Sequence, residues 1–470
     1  MTILKDLKKI YELFPLKFRN KSIVFVFLLI FAAFLEALGI GILYPLIEFL
    51  IKGNFSSNIF GINFENITLD LNNKLIIKIF VLFIIFLYLF KAIFLVLFNY
   101  WQLKFAHSIF KNLSLKLLNR YLLSSISFHH TKNSTILMRN VLHEARNYGN
   151  CVNLILKLIA ELLIVIFVTS LIIYIEPLIT SLLILAVVFF TVLFYFLTSK
   201  KIYEYGDNKL HSVEKSMKVL NESFNGIRDI KLKTAEPLFY NRYLKYLNIF
   251  IKSGNYQVAI VESPKIIFEF LLIILLLGGI FFYTMTNNDV LNILPTVGLY
   301  VLASYKIMPS FLRVLNVLQT IKGLMPSIDM LKNEIANTED FRINSKTINT
   351  KKLLFNEKIE LKNLDFSYDH KHKIINNFSK TIYKNKIIGI FGKSGSGKST
   401  LIDILTGLLS PNNGCVIIDG KTNINNGYLV DWQSKIGYVS QNVFLLDATI
   451  RENIAFGKED SDIDNLKIEQ

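Results

Sequence analysis

The chain has 470 residues, of which 52% are hydrophobic and 39 are Phe, so it can form two or three domains with large buried surfaces. Its formal net charge is +16, but in a chain with long apolar runs this indicates basic cytosolic loops rather than nucleic-acid binding. Cys151 and Cys415 are far apart in sequence, and we expect both to be free thiols.

The start of the chain is basic and precedes an apolar run, an arrangement that superficially resembles a signal peptide. Its basic residues are Lys5, Lys8, Lys9, Lys17, Arg19 and Lys21. The apolar run from Ser22 to Ile51 is too long for the apolar region of a signal peptide, and no small-residue cleavage site closes it. We therefore expect a retained membrane helix.

Six segments are apolar enough to cross a membrane, which takes roughly 20 mostly apolar residues. They lie near residues 22–50, 75–100, 152–175, 177–199, 264–286 and 291–322. The loops at 51–74, near Glu176 and at 287–290 are short, whereas 101–151 and 200–263 are long, basic and helical in periodicity. Because basic loops remain in the cytosol, both termini and both long loops are predicted to be cytosolic.

A second domain is predicted after the last of these spans. Residues 326–356 are polar without a sustained apolar stripe, so we interpret them as a linker after an all-α transmembrane domain at 1–325. In residues 357–470, short strand-like runs such as "IELKNLDFSY", "KIIGIFG" and "GCVIIDG" alternate with turns and one amphipathic segment. This alternation is typical of an α/β nucleotide-binding domain.

The segment "GKSGSGKST" matches the phosphate-binding pattern G-x-x-x-x-G-K-[ST], with an apolar strand-like run before it and helical spacing after it. Its glycines permit left-handed backbone angles that turn successive N–H groups onto phosphate oxygens. Lys398 can reach the β and γ phosphates, Ser399 can ligate Mg²⁺, and Thr400 can contact the α-phosphate side. The predicted ATP-binding residues of this loop are Gly392, Ser394, Gly395, Gly397, Lys398, Ser399 and Thr400.

Three segments around this loop carry a family resemblance: "LDFSY" before it, "GCVIIDG" after it, and "KIGYVSQNVFLLDATIRENIAFG" further along. With them the chain resembles the nucleotide-binding domain of ATP-binding-cassette (ABC) exporters. The resemblance implies that Tyr368 stacks on adenine and that Gln441 is the Q-loop glutamine that contacts Mg²⁺ and the attacking water. Outside that resemblance, Tyr368 could be a sheet-edge aromatic and Gln441 a polar loop residue.

The membrane half carries weaker resemblances. "GIRDIKLKTAE" resembles a recurring exporter stretch, while "FLEALGIGILYPLIEFL", "ESPKIIFEFL" and "YKIMPSFLRVLN" are similar to the bacterial lipid-linked oligosaccharide flippase group. The resemblance implies a homodimeric half-transporter of the bacterial inner membrane, with coupling segments near 125–135 and 205–220. Its implied substrate is a lipid-linked glycan; the alternatives are a peptide or lipid exporter of the same fold, or a membrane protein that only binds nucleotide.

Charges within the apolar runs are candidate substrate contacts, because an ion in lipid is costly. The two candidates are Glu36, midway along the first span, and Arg313, late in the sixth helix, where it could bind an anionic pyrophosphate. Packing against a neighbouring helix or exposure to the cytosol remains the alternative for each. Five further charges lie nearer the cytosolic ends of their spans, where we expect snorkelling or local pairing: Lys91, Lys157, Glu161, Glu269 and Lys306. Lys157 and Glu161 are four residues apart and could pair on one helix face.

The adjacent histidines His129 and His130 are not expected to bind a metal, since no Cys or acidic cluster accompanies them. We interpret their segment as part of the first coupling region.

Several parts of a complete cassette are not found in this sequence: the signature motif, the Walker B strand with its catalytic Glu, and the switch His. The acidic residues Asp460, Asp462 and Asp464 follow no apolar strand and do not qualify as Walker B. We therefore expect a C-terminally truncated, marginally stable nucleotide-binding domain that does not turn over ATP, since phosphoryl transfer needs those groups. No catalytic residue other than Gln441 is assigned.

Overall fold

The computed structural model describes residues 2–52, 74–175, 177–285, 290–337, 352–368, 372–441 and 443–469. The chain divides into two compact units, Met1–Ser124 with His129–Arg342 and Ser125–Phe128 with Ile343–Gln470. Each unit is described by itself.

The part of the chain before the predicted linker is helical. Its helices are α1 (Thr2–Glu12), α2 (Arg19–Lys52), α3 (Lys74–Leu122), α4 (Ile126–Thr131), α5 (Ser134–Arg139), α6 (Ala145–Ile175), α7 (Pro177–Asn225), α8 (Ile227–Leu232), α9 (Glu236–Met285) and α10 (Val290–Asn337), with a 3-10 turn at Leu16–Phe18 and a π-helical turn at Asn140–Glu144. The shortest of the six long helices, α6, has 31 residues, or about 46 Å at 1.5 Å per residue. All six are therefore longer than the hydrocarbon core of a bilayer, about 30 Å thick.

Apolar side chains cover the outside of these helices, as a lipid environment requires. Leu82, Phe86 and Phe189 are exposed examples. Within the described ranges, four segments are long and apolar enough to cross a membrane: Leu16–Glu36, Val81–Leu122, Ser134–Ser170 and Ile184–Asn225. The fifth and sixth predicted spans lie on α9 and α10. Many side chains of these two helices, including that of Lys306, lie outside the described part of the structure. Residues 53–73, Glu176 and 286–289, which cover most of the predicted outer loops, also lie outside it.

Three long helices meet closely through glycines. A Cβ atom added to Gly206 on α7 would lie 2.2 Å from the carbonyl oxygen of Gly323 on α10. One added to Gly323 would lie 1.7 Å from Nε2 of Gln257 on α9. The close atom at Gly206 is backbone, so glycine there sets how closely α7 and α10 pack, whereas the close atom at Gly323 is the end of a flexible side chain that can move.

The segment around α5 is held by a buried arginine. Arg139 is 2% exposed; its Nη1 donates to Oε2 of Glu214 on α7 at 2.8 Å, and its Nε lies 3.6 Å from Oε1 of Glu144. A buried ion needs such partners, since isolating it in the interior is costly. The sequence alone did not single out this network, because its three residues are separated by up to 75 positions.

The position of the linker needs a correction. Residues 326–337, predicted as linker, are the last turns of α10, and residues 338–351 lie outside the described part of the chain. Met325, Ile328 and Leu331 are fully buried at a spacing of three, and Glu334 pairs with Lys132 at 3.1 Å. The three buried residues form an apolar stripe that is too short to recognise from the sequence. The ion pair of Glu334 adds to the contacts that hold this end of α10.

The second unit contains a four-stranded antiparallel sheet in the order β2-β1-β3-β4. Its elements are β1 (Lys358–Phe366), β2 (Ile375–Tyr383), α11 (Lys398–Leu405), β3 (Asn413–Ile418), β4 (Thr422–Asn423), α12 (Leu429–Gln433), α13 (Ile450–Ile454) and α14 (Asn465–Glu469), with a 3-10 turn at Asp460–Asp462. Buried residues of the sheet, including Leu364 and Val416, pack with Ile404 of α11 and Trp432 of α12. A helical unit with long apolar helices followed by a sheet-containing unit confirms the predicted fold class.

One predicted strand is wrong. The run "KIIGIF" before the phosphate loop forms no strand in the described residues, and Ile387, Ile390 and Phe391 are exposed. A strand needs a neighbour to accept its ladder of hydrogen bonds, and the described sheet has no strand beside this run. The two flanking predictions are confirmed, since β1 and β3 lie on "IELKNLDF" and "GCVII".

Candidate nucleotide-binding site

The loop that precedes α11 has the backbone shape of a phosphate cradle. Gly395 and Gly397 have φ angles of +80° and +88°, in the left-handed region that favours glycine. A Cβ atom at Gly392 would lie 2.6 Å from Oγ of Ser396, and one at Gly397 would lie 2.8 Å from Cγ2 of Ile374. Side chains at these two positions would collide with Ser396 and Ile374, so glycine leaves the backbone of the loop uncovered at both.

The first turn of α11 completes this cradle. Gly397 is the N-cap, and the helix begins at Lys398. The first N–H groups of a helix have no partner within it and carry the positive end of the helix dipole, so they favour an anion. The residues present therefore fit a nucleotide phosphate.

Lys398 curls back over the loop. Its Nζ donates to the carbonyl oxygens of Gly392 and Lys393, each at 2.8 Å. This holds the ammonium group at the mouth of the cradle, where a phosphate oxygen can replace a carbonyl oxygen as its acceptor. A charge-assisted bond of this kind is stronger than a neutral one.

The predicted adenine contact lies next to the cradle. Tyr368 follows β1, is 42% exposed, and packs edge-on against Phe366 with ring centroids 4.9 Å apart. Its hydroxyl lies 3.4 Å from Oγ1 of Thr400 in the first turn of α11. The structure thus brings Tyr368 and Thr400 together, and the stacking of Tyr368 on adenine stays a prediction.

The predicted Mg²⁺ ligands are less closely defined. Ser399 is exposed in the first turn of α11, and Gln441 is exposed in a segment without helix or strand. Both have oxygen atoms that suit Mg²⁺. Their assignment as magnesium ligands stays a prediction, as does the role of Ser394, which is exposed in the turn of the loop.

The segment after Gln441, which carries part of the family resemblance, is ordered by side-chain contacts that the sequence analysis did not assign. Thr449 and Glu452 form a reciprocal capping box at the start of α13. The side chain of Asn453 accepts from the N–H of Leu446 at 2.7 Å and donates to the carbonyl oxygens of Leu446 and Thr449. The Thr-x-x-Glu spacing was the available signal, since it is typical of a helix start.

The acidic residues near the end of the described chain have local roles. Asp460 accepts from Nη1 of Arg451 at 2.5 Å, and Asp464 accepts from the N–H of Leu466 at 3.2 Å. Within the described ranges no strand leads into them.

The two predicted substrate contacts of the helical unit each have an ion-pair partner. Glu36 on α2 accepts from Nζ of Lys91 on α3 at 2.6 Å, and Arg313 on α10 donates from Nε to Oε1 of Glu161 on α6 at 2.6 Å. Glu161 therefore pairs with Arg313 instead of Lys157, which is exposed. Arg313 is half exposed, and its Nη2 also donates to Oγ of Ser310.

The histidine pair shows no metal geometry. His129 Nε2 lies 2.9 Å from the carbonyl oxygen of Tyr121. In the part of the chain that the structure describes, no group of three His, Cys, Asp or Glu side chains is arranged to hold a metal ion.

Comparisons with known proteins match both halves of the chain. A family profile described as ABC transporter transmembrane region matches residues 22–310, and one described as ABC transporter matches residues 375–469. A multidrug resistance ABC transporter ATP-binding and permease protein of Lactococcus lactis subsp. lactis (strain IL1403) is 27% identical over 262 residues, which are 54% of this chain and 42% of that relative. The chain thus spans less than half of this relative.

Other similar proteins match a shorter stretch. A putative export ATP-binding/permease protein of Rickettsia typhi (strain ATCC VR-144 / Wilmington) is 43% identical over 101 residues, 21% of this chain and 17% of the relative. ABC transporter B family member 1 of Arabidopsis thaliana is 41% identical over 106 residues, 22% of this chain and 8% of the relative. The expected resemblance to ABC exporters is confirmed, and the narrower flippase resemblance stays a prediction.

Proposed function

Because this chain belongs to the ABC transporter family, as the match to its transmembrane region over residues 22–310 shows, we propose that it is a subunit of an ATP-driven exporter. The observation that carries the proposal is the phosphate cradle at residues 392–400, in a chain with long apolar helices. At Gly392 and Gly397 this loop leaves no room for a side chain, and Lys398 donates a hydrogen bond to the carbonyl oxygen of Gly392. In such a transporter ATP supplies the free energy of transport when it is hydrolysed, a step that needs the signature motif and Walker B groups that are not found in these 470 residues.

Within that function, the residues of this chain have distinct tasks. The loop N–H groups and Lys398 hold the phosphates, Tyr368 stacks on the base, and Ser399 and Gln441 hold Mg²⁺. The helical unit forms the path for the substrate. One set of long helices and one phosphate cradle are half of an exporter, so the proposed assembly is a homodimer in the bacterial inner membrane with the nucleotide-binding domain in the cytosol.

For the substrate we propose a lipid-linked glycan whose pyrophosphate contacts Arg313. Support comes from the exposure of Arg313 in a helical unit with apolar helices, and from its two N–H contacts to Glu161 and Ser310, which hold the guanidinium while leaving N–H groups to donate. The similarity to the multidrug resistance transporter of Lactococcus favours a second candidate, a drug-like apolar compound.

The test compares ligands on the purified full chain. We expect a lipid-linked pyrophosphate glycan to bind more tightly than an apolar cationic dye, and Arg313→Gln to weaken glycan binding by roughly ten-fold, because a charge-assisted contact is lost. Native mass spectrometry of the detergent-solubilised protein measures both affinities.

The matched control is Glu161→Gln, which frees Arg313 without removing it and should leave glycan binding equal or tighter. Tighter binding of the dye, or equal glycan binding by the Arg313→Gln variant, would contradict the proposed substrate. Neither outcome bears on nucleotide binding by the cradle.

A further inference from the structure

The start of the chain presents a surface that the proposed transport does not use. On α1, Leu4, Lys8 and Tyr11 share one exposed side at helical spacing, with Lys5 beside them. The exposed residues continue through the 3-10 turn into α2. We call the whole set the basic surface; its members are Leu4, Lys5, Lys8, Tyr11, Leu16, Lys17, Arg19 and Lys21.

The opposite side of α1 is fixed to the helical unit, so the basic surface has a defined orientation. Asp6 and Ile10 are buried. Three ion pairs join α1 to α10: Asp6 with Lys322 at 2.7 Å, Lys9 with Asp329 at 2.6 Å, and Glu12 with Lys332.

Contacts of α1 place it at the level where the predicted spans end. Ile3 and Leu7 line a small cavity with Tyr195, four residues before the predicted end of the fourth span at 199. The hydroxyl of Tyr148, four residues before the third span, donates to the carbonyl oxygen of Ile10 at 3.0 Å. Lys322 is the last residue of the sixth predicted span. These three contacts put the first turns of α1 at one predicted boundary of the membrane, while the pairs with Asp329 and Lys332 lie beyond the predicted end of the sixth span.

The basic side chains of this surface are available to a partner. Lys9 is used in an ion pair with Asp329. In contrast, no ion pair joins Lys5, Lys8, Lys17, Arg19 or Lys21 to any residue that the structure describes, and all five are exposed. Leu4 and Leu16, 74% and 84% exposed, lie among them. The surface therefore combines unpaired positive charge with apolar side chains.

We propose that the basic surface binds the anionic head groups of phospholipids in the adjacent membrane leaflet. Lysine and arginine near an anionic leaflet each strengthen binding by about five-fold, and apolar side chains beside them enter the boundary between head groups and acyl chains. Continuity supports a lipid over a soluble partner: the surface leads directly into α2, whose Ile23, Val24 and Phe27 are exposed apolar residues. The inference does not depend on the proposed substrate.

The experiment measures lipid preference of the full chain. The delipidated protein in detergent is titrated with phosphatidylglycerol or phosphatidylcholine, and native mass spectrometry gives the association constants. We expect the native chain to prefer phosphatidylglycerol, with the preference expressed as the ratio of the two association constants. In the triple variant Lys5→Gln, Lys8→Gln, Lys17→Gln this ratio should fall by about five-fold for each lysine removed. Higher salt should weaken the preference of the native chain.

The control is the triple variant Lys233→Gln, Lys245→Gln, Lys252→Gln, which removes the same charge from exposed lysines of α9 and the turn before it. It should keep the native preference. The proposal is overturned if the α1 variant keeps the preference, if the control loses as much, or if soluble glycerol phosphate displaces the lipid, since the ligand would then be free phosphate.

Discussion

Single residues hold the nucleotide-binding unit together through backbone contacts. Asp419, after β3, accepts from the N–H groups of Asn356, Glu357 and Lys358 at 2.8 to 2.9 Å. It thereby joins the chain entering β1 to the end of β3. The hydrogen bond from Lys358 is the main cause that lowers the pKa of Asp419 below its ordinary value, with the other two N–H groups adding to it.

The first prediction concerns Asp419→Asn. Asparagine tolerates the φ angle of +50° at this position but loses the charge that three N–H donors stabilise. We expect the unfolding midpoint of the nucleotide-binding unit at pH 7 to fall by several degrees, as measured by tryptophan fluorescence in a Trp101→Phe background, where Trp432 is the remaining tryptophan.

The pH dependence of that difference follows from the lowered pKa. The carboxylate contributes stability above the unfolded pKa of about 3.9 and loses it as the pH falls through the lower folded pKa. The difference between the native chain and the variant should therefore begin to shrink below about pH 4 and vanish once the pH is below the folded pKa. Asp447→Asn, at an exposed carboxylate, is the control and should have no effect; a gap that persists in acid would refute the role of the charge.

At the scale of elements, helix packing depends on positions that look unremarkable in the sequence. Gly206 lies in "IYEYGDNKL", where helical periodicity continues on both sides. Only the structure shows that the carbonyl oxygen of Gly323 would be 2.2 Å from an added Cβ atom. In contrast, Gly254 on α9 has no atom within 4 Å of such a Cβ.

The second prediction compares alanine at these two glycines. Gly206→Ala must separate α7 from α10, which we expect to cost about 1–3 kcal/mol as overpacking does elsewhere. Gly254→Ala should be neutral or stabilising by up to about 1 kcal/mol, since alanine is the better helix former. Thermal unfolding in detergent measures both; equal midpoints for the two variants would contradict the close contact.

Elements also show where the sequence could and could not be interpreted. The phosphate loop was predictable because glycine spacing and a helix start are local signals. The strand "KIIGIF" was not, because its formation depends on a neighbouring strand rather than on its own apolar residues. The pair between Arg313 and Glu161 joins residues 152 positions apart, which a helix-face rule that pairs Lys157 with Glu161 cannot anticipate.

For the whole molecule, the sequence was sufficient for the family and the fold class. The cradle motif lies in one segment, and the membrane helices are marked by composition. Details that rest on distant contacts, such as the continuation of α10 to Asn337 through buried Ile328 and Leu331, needed the structure. The account as a whole depends on one claim, that a chain with membrane-crossing helices binds a nucleotide through residues 392–400.

The most direct measurement is the affinity of the purified full chain for MgATP, determined from the displacement of a bound fluorescent ATP analogue. We expect the native chain to bind MgATP saturably. Lys398→Ala should lose roughly ten-fold or more in affinity, because one charge-assisted phosphate contact is removed. The control is Lys386→Ala, at an exposed lysine just before the loop, which should keep the native affinity. No saturable binding by the native chain, or equal affinities for the native chain and Lys398→Ala, would contradict the account.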